Sequence, residues 1–392
     1  MRPSNPRSEY HGLKAALKNP RLLLAGASAF SMSTLFSALK PVLLTRMLEE
    51  TPWSASLAGL LVAAPFAGIA VSSLLFFFRP PSASVRRLGI LFGLALLVLE
   101  VVSAFNVAHA AFLLPMQFLA GFCVGALMAT TSRIIAKSDA PDESFGFVDM
   151  TAVALMSAMV AGAGYAVTLG GLRGGYLFAA VTASIYVLGI VSYRDSRTRK
   201  ESGKTVHISH PPIQVTARSL AVLTMGVLFV SFSGLGFAFM FSMARELGLS
   251  YEEAGSRLGL LLFASASACL MGGWCSGRFG PRYPLLLAFI GCAVGWSFAV
   301  HTQSPSLFIA ALVPAIFSLQ FAFPILLALA ASLDKQGQWA GISAPLITSG
   351  FAWAAIIAGL VVDGFGISAL PLATAIGMSA CALLLWPATS EA

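Results

Sequence analysis

Charge is what this sequence has least of. Only 10% of its 392 residues are Asp, Glu, Lys or Arg, whereas 57% are apolar. A soluble domain carries about 25% charge. So little polar surface excludes a globule that faces water on all sides. Cysteine is scarce too: Cys123, Cys269, Cys275, Cys292 and Cys381 all sit in apolar runs without paired spacing. That excludes a disulfide framework or a cysteine metal centre, and leaves small buried apolar residues. There are five histidines. Two of them, His207 and His210, share a loop, but no carboxylate or cysteine accompanies them and we expect no metal there. A phosphate-binding glycine loop, a His-Glu-x-x-His pair and a nucleophile elbow are all missing. We therefore expect no enzyme activity, no cofactor and no ATP-driven mechanism. Any work must draw on an ion or solute gradient.

Long apolar runs fill the space that charge leaves. A helix needs about 20 apolar residues to span a bilayer. Twelve runs qualify: 21–45, 53–78, 88–107, 110–135, 146–169, 173–193, 219–244, 255–277, 283–301, 305–332, 339–362 and 366–387. They are too long, and alternate too little, for barrel strands. The expected fold class is an all-α polytopic membrane protein of twelve transmembrane helices. The first run is longer than a signal-peptide core and no small-residue cleavage site follows it, so we read it as a working helix.

The chain also repeats itself. Arg46 and Arg245, Arg79 and Arg278, and Pro115 and Pro314 are each 199 residues apart. Gly146 with Gly341, and Gly164 with Gly359, follow at 195 after a short deletion. Duplicated sets of spans are a common design of secondary transporters, with the site where the halves meet. The expected organisation is a leader at 1–20, a six-helix bundle at 21–193, a polar linker at 194–218 and a second bundle at 219–392. With the N-terminus inside, the cytoplasmic segments hold nineteen Lys and Arg, the outer side four, and one lies within a span. This bias sets both termini in the cytoplasm, in what we expect to be a bacterial inner membrane. The net charge of +8 thus orients the chain rather than serving nucleic acid. The expected partners are a small-molecule substrate, protons and lipid, with the chain acting as a monomer.

Residues 272–282 read GGWCSGRFGPR. This resembles the loop signature of the major facilitator superfamily, G-x-x-x-D-R-x-G-x-R. Gly273, Arg278, Gly280 and Arg282 match, while Gly277 replaces the acidic residue. The corresponding stretch of the first half, LLFFFRPPSASVRR, keeps Arg79 and the trailing Arg86 and Arg87. The resemblance implies two pseudo-symmetric six-helix bundles that rock about a midplane site. It also implies a gating or conformational role for Arg79, Arg278, Gly273 and Gly280. The glycines would let two helices pack closely and the arginines would bond carbonyl ends of neighbouring spans. A Gly-Pro pattern carried by many drug antiporters in span five is not matched, since 161–171 reads AGAGYAVTLGG.

The repeat then works as a filter. Positions charged in both halves belong to the shared scaffold, and those charged in one half are candidates for the site. Four pass: Lys40 (counterpart Phe239), Glu100 (Ala299), Arg133 (Ser332) and Asp149 (Ala344). Lys40 continues a stripe of Gly26, Phe30, Ser33 and Ser37 at helical spacing. It reads as a cation for an anionic group, or as a lysine reaching for the interface. Glu100 reads as a proton-coupling carboxyl or as a packed, neutral acid, and a pair with Lys40 is geometrically allowed. Arg133 and Asp149 read as a hairpin ion pair or an inner gate, with Asp149 a second coupling candidate. Asp363 reads as interfacial. Gln117 on span four, Gln320 on span ten, Trp353 on span eleven and the stripe Ser231, Gly234, Ala238, Ser242, Arg245 on span seven are candidates to line a cavity. Each also serves as an ordinary helix contact.

The expected function is a secondary transporter of a small anionic or zwitterionic solute, coupled to protons. The rivals are a proton-coupled multidrug or metabolite efflux pump and a non-transporting membrane sensor with a transporter fold.

Overall fold

The computed structural model describes residues 20–78, 84–135, 141–192, 215–333 and 338–389. The leader and most of the central linker, including His207 and His210, lie outside these residues. The first half comprises α1 (Pro20–Glu50), α2 (Ala55–Phe78), α3 (Val85–Phe105), α4 (Ala110–Ile135) and α5 (Pro141–Val191). The second comprises α6 (Ala217–Glu246), α7 (Tyr251–Phe279), α8 (Arg282–His301), α9 (Pro305–Ala331), α10 (Gln338–Thr348), α11 (Gly350–Phe365) and α12 (Leu370–Thr389). Eleven helical stretches among the described residues are long and apolar enough to cross a membrane.

One of the eleven is two spans in series. The apolar part of α5 runs 42 residues, Met150–Val191. At 1.5 Å per residue that is about 63 Å, twice a bilayer core. Gly170 and Gly171 break it, with Gly171 at φ +57°, a left-handed conformation that glycine adopts without penalty. The chain reverses there. Ala166 lies against Gly174, Val167 against Gly175 and Phe178 against Gly162, the pairing of an antiparallel helical hairpin. Conversely α10 and α11 together form one span, interrupted at Ser349. The total among the described residues is twelve spans, with boundaries close to those the apolar runs predict.

The two ends of the bundle are named here by their loops, without assigning a membrane side. The proximal face carries Pro20 and Thr389, and the distal face carries residues 51–54, 106–109, 170–171 and 247–250. The halves meet through α5 with α7, α2 with α11 and α1 with α6. The repeat is visible in this seam. Gly164 abuts the Tyr251 carbonyl, and its partner in the repeat, Gly359, abuts the Ala55 carbonyl. Gly59 packs against Ala355 from the same crossing. Without a Cβ, backbones approach closely enough for dispersion to hold helices together where lipid gives no hydrophobic drive. Large apolar side chains such as Leu169, Phe365 and Leu383 are exposed on the periphery, where only lipid would cover them.

Candidate functional site

Lys40 is the centre of the site. It lies in α1 and is 4% exposed. A buried ammonium must be bonded. Its Nζ donates to the Val62 carbonyl of α2 at 2.8 Å and lies 5.2 and 5.5 Å from the ring centroids of Phe36 and Phe66. Both rings add cation–π attraction. One of the three ammonium donors is therefore used on protein oxygen. The group borders a small cavity of about 20 Å³, room for one water. Ser37, Lys40 and Phe66 line it from the first half, and Gly234, Phe237 and Phe351 from the second. Phe66 and Phe351 face each other across the seam at 5.5 Å. Pro41, next to Lys40, has no N–H, so the Ser37 carbonyl loses its helical donor beside the cavity.

Behind Lys40 lies a second buried polar group. Glu100 of α3 is 1% exposed. Its Oε2 accepts from Gln117 Nε2 at 3.4 Å, and the same nitrogen donates to Ser103 Oγ at 3.1 Å. Among the described residues Glu100 Oε1 has no hydrogen-bond partner. Lys40 and Tyr176 of α5 lie within electrostatic range of Glu100. Among the described residues Lys40 and Glu100 form no direct ion pair. The pair that spacing allowed is thus an interaction through space, with each group held by its own partner.

The distal end above this cavity is shut by contacts between the halves. Thr45 and Ser242 share a hydroxyl–hydroxyl bond of 2.9 Å. Arg46 pairs with Glu49 at 3.0 Å and with Glu50, and Glu49 also pairs with Arg245 of α6 at 3.3 Å. The ring of Tyr251 lies under both guanidinium groups, 5.5 Å from Arg46 and 4.9 Å from Arg245. Asp363 at the end of α11 accepts from the Ala55 and Ser56 amides, both at 2.8 Å. It caps the positive N-terminus of α2 from the other half.

Other predicted residues fall elsewhere. Ser33 is half-buried and bonds the Phe30 carbonyl at 2.8 Å. Gln320 is half-buried on α9, turned away from α8, which α9 meets through Ala315 and Ser318. Trp353 is 53% exposed, on the face of α11 opposite its contacts with α2 and α6, so it does not line the cavity. On α6, Gly234 and Ala238 border the cavity, while Ser231 bonds the Val227 carbonyl. Arg278 stacks on Trp274 and Phe279 at 5.5 and 5.7 Å, with no bond to a neighbouring span among the described residues. Gly273 faces open space, and the close approach of α7 to α9 is made by Gly272 against the Phe321 carbonyl. Gly280, at φ +73°, ends α7, and Arg282 ties α8 to the Thr389 hydroxyl at 2.6 Å. Arg79 lies outside the described residues, as do the side chains of Arg133 and Asp149.

Sequence reasoning missed the distal latch. Arg46 and Arg245 were assigned to scaffold because both halves carry them, yet they meet in one network through Glu49. The spacing Arg46, Glu49, Glu50 at the end of a span was the available signal. Asp363 bonds across the seam as well as lying at the interface. A wide groove of about 500 Å³ at the proximal face, between Arg21, Arg86 and Leu188, opens to the surface and is remote from Lys40.

Enclosed charge between two pseudo-symmetric six-span halves is the architecture of a membrane transporter, and comparison bears on which one. The sequence model of the Major Facilitator Superfamily matches residues 22–342, and the chain belongs to that family. Among curated protein sequences none matches. Solved structures share the fold. The nucleoside transporter NupG has 12% identity and a TM-score of 0.68, covering 93% of this chain and 97% of its own. A D-xylose–proton symporter has 13% identity and a TM-score of 0.70, covering 93% and 96%. The peptide transporter POT in complex with alafosfalin has 14% identity and a TM-score of 0.69, covering 93% and 92%. The chain is an integral membrane protein with a transporter fold.

Proposed function

We propose that this protein is a proton-coupled secondary transporter of a small organic solute that carries a negative charge. The observation that supports it is Lys40: a buried cation, with donors to spare, on the wall of a cavity shared by the two halves. An ammonium kept at that position needs a reason, because burying it is costly. A ligand bound there would touch both halves, so its binding energy would bias their relative position, as alternating access requires. Glu100, buried within electrostatic reach, supplies a group that can hold or release a proton without contacting the solute. The Lys and Arg bias favours a cytoplasmic proximal face in a bacterial inner membrane. On that reading the latch closes the outer side.

Proton flux tests this. Purified protein in proteoliposomes, with a pH dye enclosed, should acidify the lumen when a stabilising solute is added outside. Glu100→Gln should bind the solute without moving protons. Absence of both proton movement and counterflow for every solute that raises the thermal midpoint would overturn the reading and favour a sensor.

A further inference from the structure

We propose that the solute is a monocarboxylate with an apolar body, taken up with one proton in an electrically neutral step. This rests on the transport reading above and narrows it.

The cavity wall carries one charge. Lys40 provides a cation and Ser37 a hydroxyl, and the rest of the lining is Phe66, Phe237, Phe351 and small apolar residues. No carboxylate lines it. An amino acid or peptide would bring a second ammonium beside Lys40 with no carboxylate in the wall to pair it, and the like charges would repel. A neutral solute would make no use of the lysine. A single carboxylate on Lys40, with an apolar body against the rings, satisfies every group in the wall. The void of about 20 Å³ is too small for such a body, so the halves must part to admit it.

Charge balance sets the stoichiometry. The titratable groups within reach of Glu100 are Lys40 from α1 and the phenol of Tyr176 from α5; from α4 it meets the neutral Gln117. We take Lys40 as the ammonium and Glu100 as the carboxylate in the empty site, which is then neutral overall. A bare carboxylate would leave a net negative charge in a low-dielectric interior, which is strongly disfavoured. If Glu100 takes a proton from water as the carboxylate arrives, the site is neutral again. Lys40 then passes from Glu100's field to a direct partner. One proton and one negative charge enter together, and nothing else is consumed. The free Oε1 of Glu100 is where that proton can attach without breaking the bond from Gln117.

Binding of three matched probes tests the proposal on full-length protein in detergent: benzoate, phenylalanine and benzylamine. Benzoate should bind saturably and the other two should not. Calorimetry of benzoate in buffers of different ionisation heat should show about one proton taken up per ligand. Lys40→Met should weaken benzoate by about 30-fold or more, the loss expected when one partner of a buried charge pair is removed. Lys40→Arg should retain part of the binding, and Glu100→Gln should bind with no proton uptake. The proposal is overturned if phenylalanine or benzylamine binds as well as benzoate, if benzoate binds without a proton, or if no benzoate binding is found. The probe panel needs only wild-type protein, so misfolding of a variant does not spare the proposal. Counterflow of some other solute alongside a failed panel would remove the carboxylate and leave the transporter. Benzoate binding with no flux of any kind would do the reverse.

Discussion

At the residue scale, the proposal divides the work between two buried side chains. Lys40 and Glu100 stood out because their counterparts in the repeat, Phe239 and Ala299, are apolar. What spacing could not show is that they do not bond each other. The Val62 carbonyl and Gln117 hold them separately, through contacts 22 and 17 residues away in sequence. Periodicity on one helix is blind to such partners. It also misplaced Trp353, since a large aromatic in an apolar span fits the lipid face as well as a cavity. Gln117 anchors Glu100, and its nitrogen is shared with Ser103. Gln117→Leu should therefore leave a second buried acceptor on Glu100 unpaired, costing about 1–3 kcal/mol. Thermal unfolding should report a lowered midpoint together with altered proton coupling; an unchanged pH profile would show Gln117 to be mere packing.

At the element scale, glycine decides where helices turn and where they touch. The turn at Gly170–Gly171 was legible as a gap of three residues between apolar runs. Gly171 adopts φ +57° and its missing Cβ faces the Glu50 carboxylate, which also accepts from the Leu172 amide at 3.2 Å. Gly171→Ala should cost about 1–2 kcal/mol from the left-handed backbone alone, read as a lower thermal midpoint, whereas Gly170→Ala, with open space around it, should cost less. The pairs Gly164 with the Tyr251 carbonyl and Gly359 with the Ala55 carbonyl close the distal seam. Gly359→Val should keep the halves apart there. Cysteines introduced at Ser56 and Asp363 should crosslink readily in the parent background and poorly beside Gly359→Val; equal crosslinking would show that the seam tolerates the side chain. The latch of Arg46, Glu49 and Arg245 is about a third exposed. Exposed pairs contribute about 0–1 kcal/mol, so the latch biases a conformation without fixing it, as a contact that must open in every cycle should.

At the scale of the whole molecule, the repeat and the asymmetry have different jobs. Symmetric positions build the seam, and unsymmetric ones place charge on one side of it. The fold was readable from apolar runs and the 199-residue offset because membrane insertion writes its requirements into local sequence. The site was readable in part, since buried charge is rare enough to be noticed. The latch was not, because its halves lie almost 200 residues apart and each reads as an ordinary helix end. Efflux of cationic drugs finds no support in a wall whose single charge is positive. The central claim is that Lys40 and Glu100 exchange an anion's charge for a proton. Uptake of labelled benzoate into proteoliposomes measures it, with the pH gradient and the membrane potential imposed separately. In excess of the passive uptake by protein-free liposomes, the account predicts accumulation driven by the pH gradient alone, none by the potential alone, and none by either in Glu100→Gln. Accumulation driven by the potential alone, or wild-type accumulation by Glu100→Gln, would contradict it.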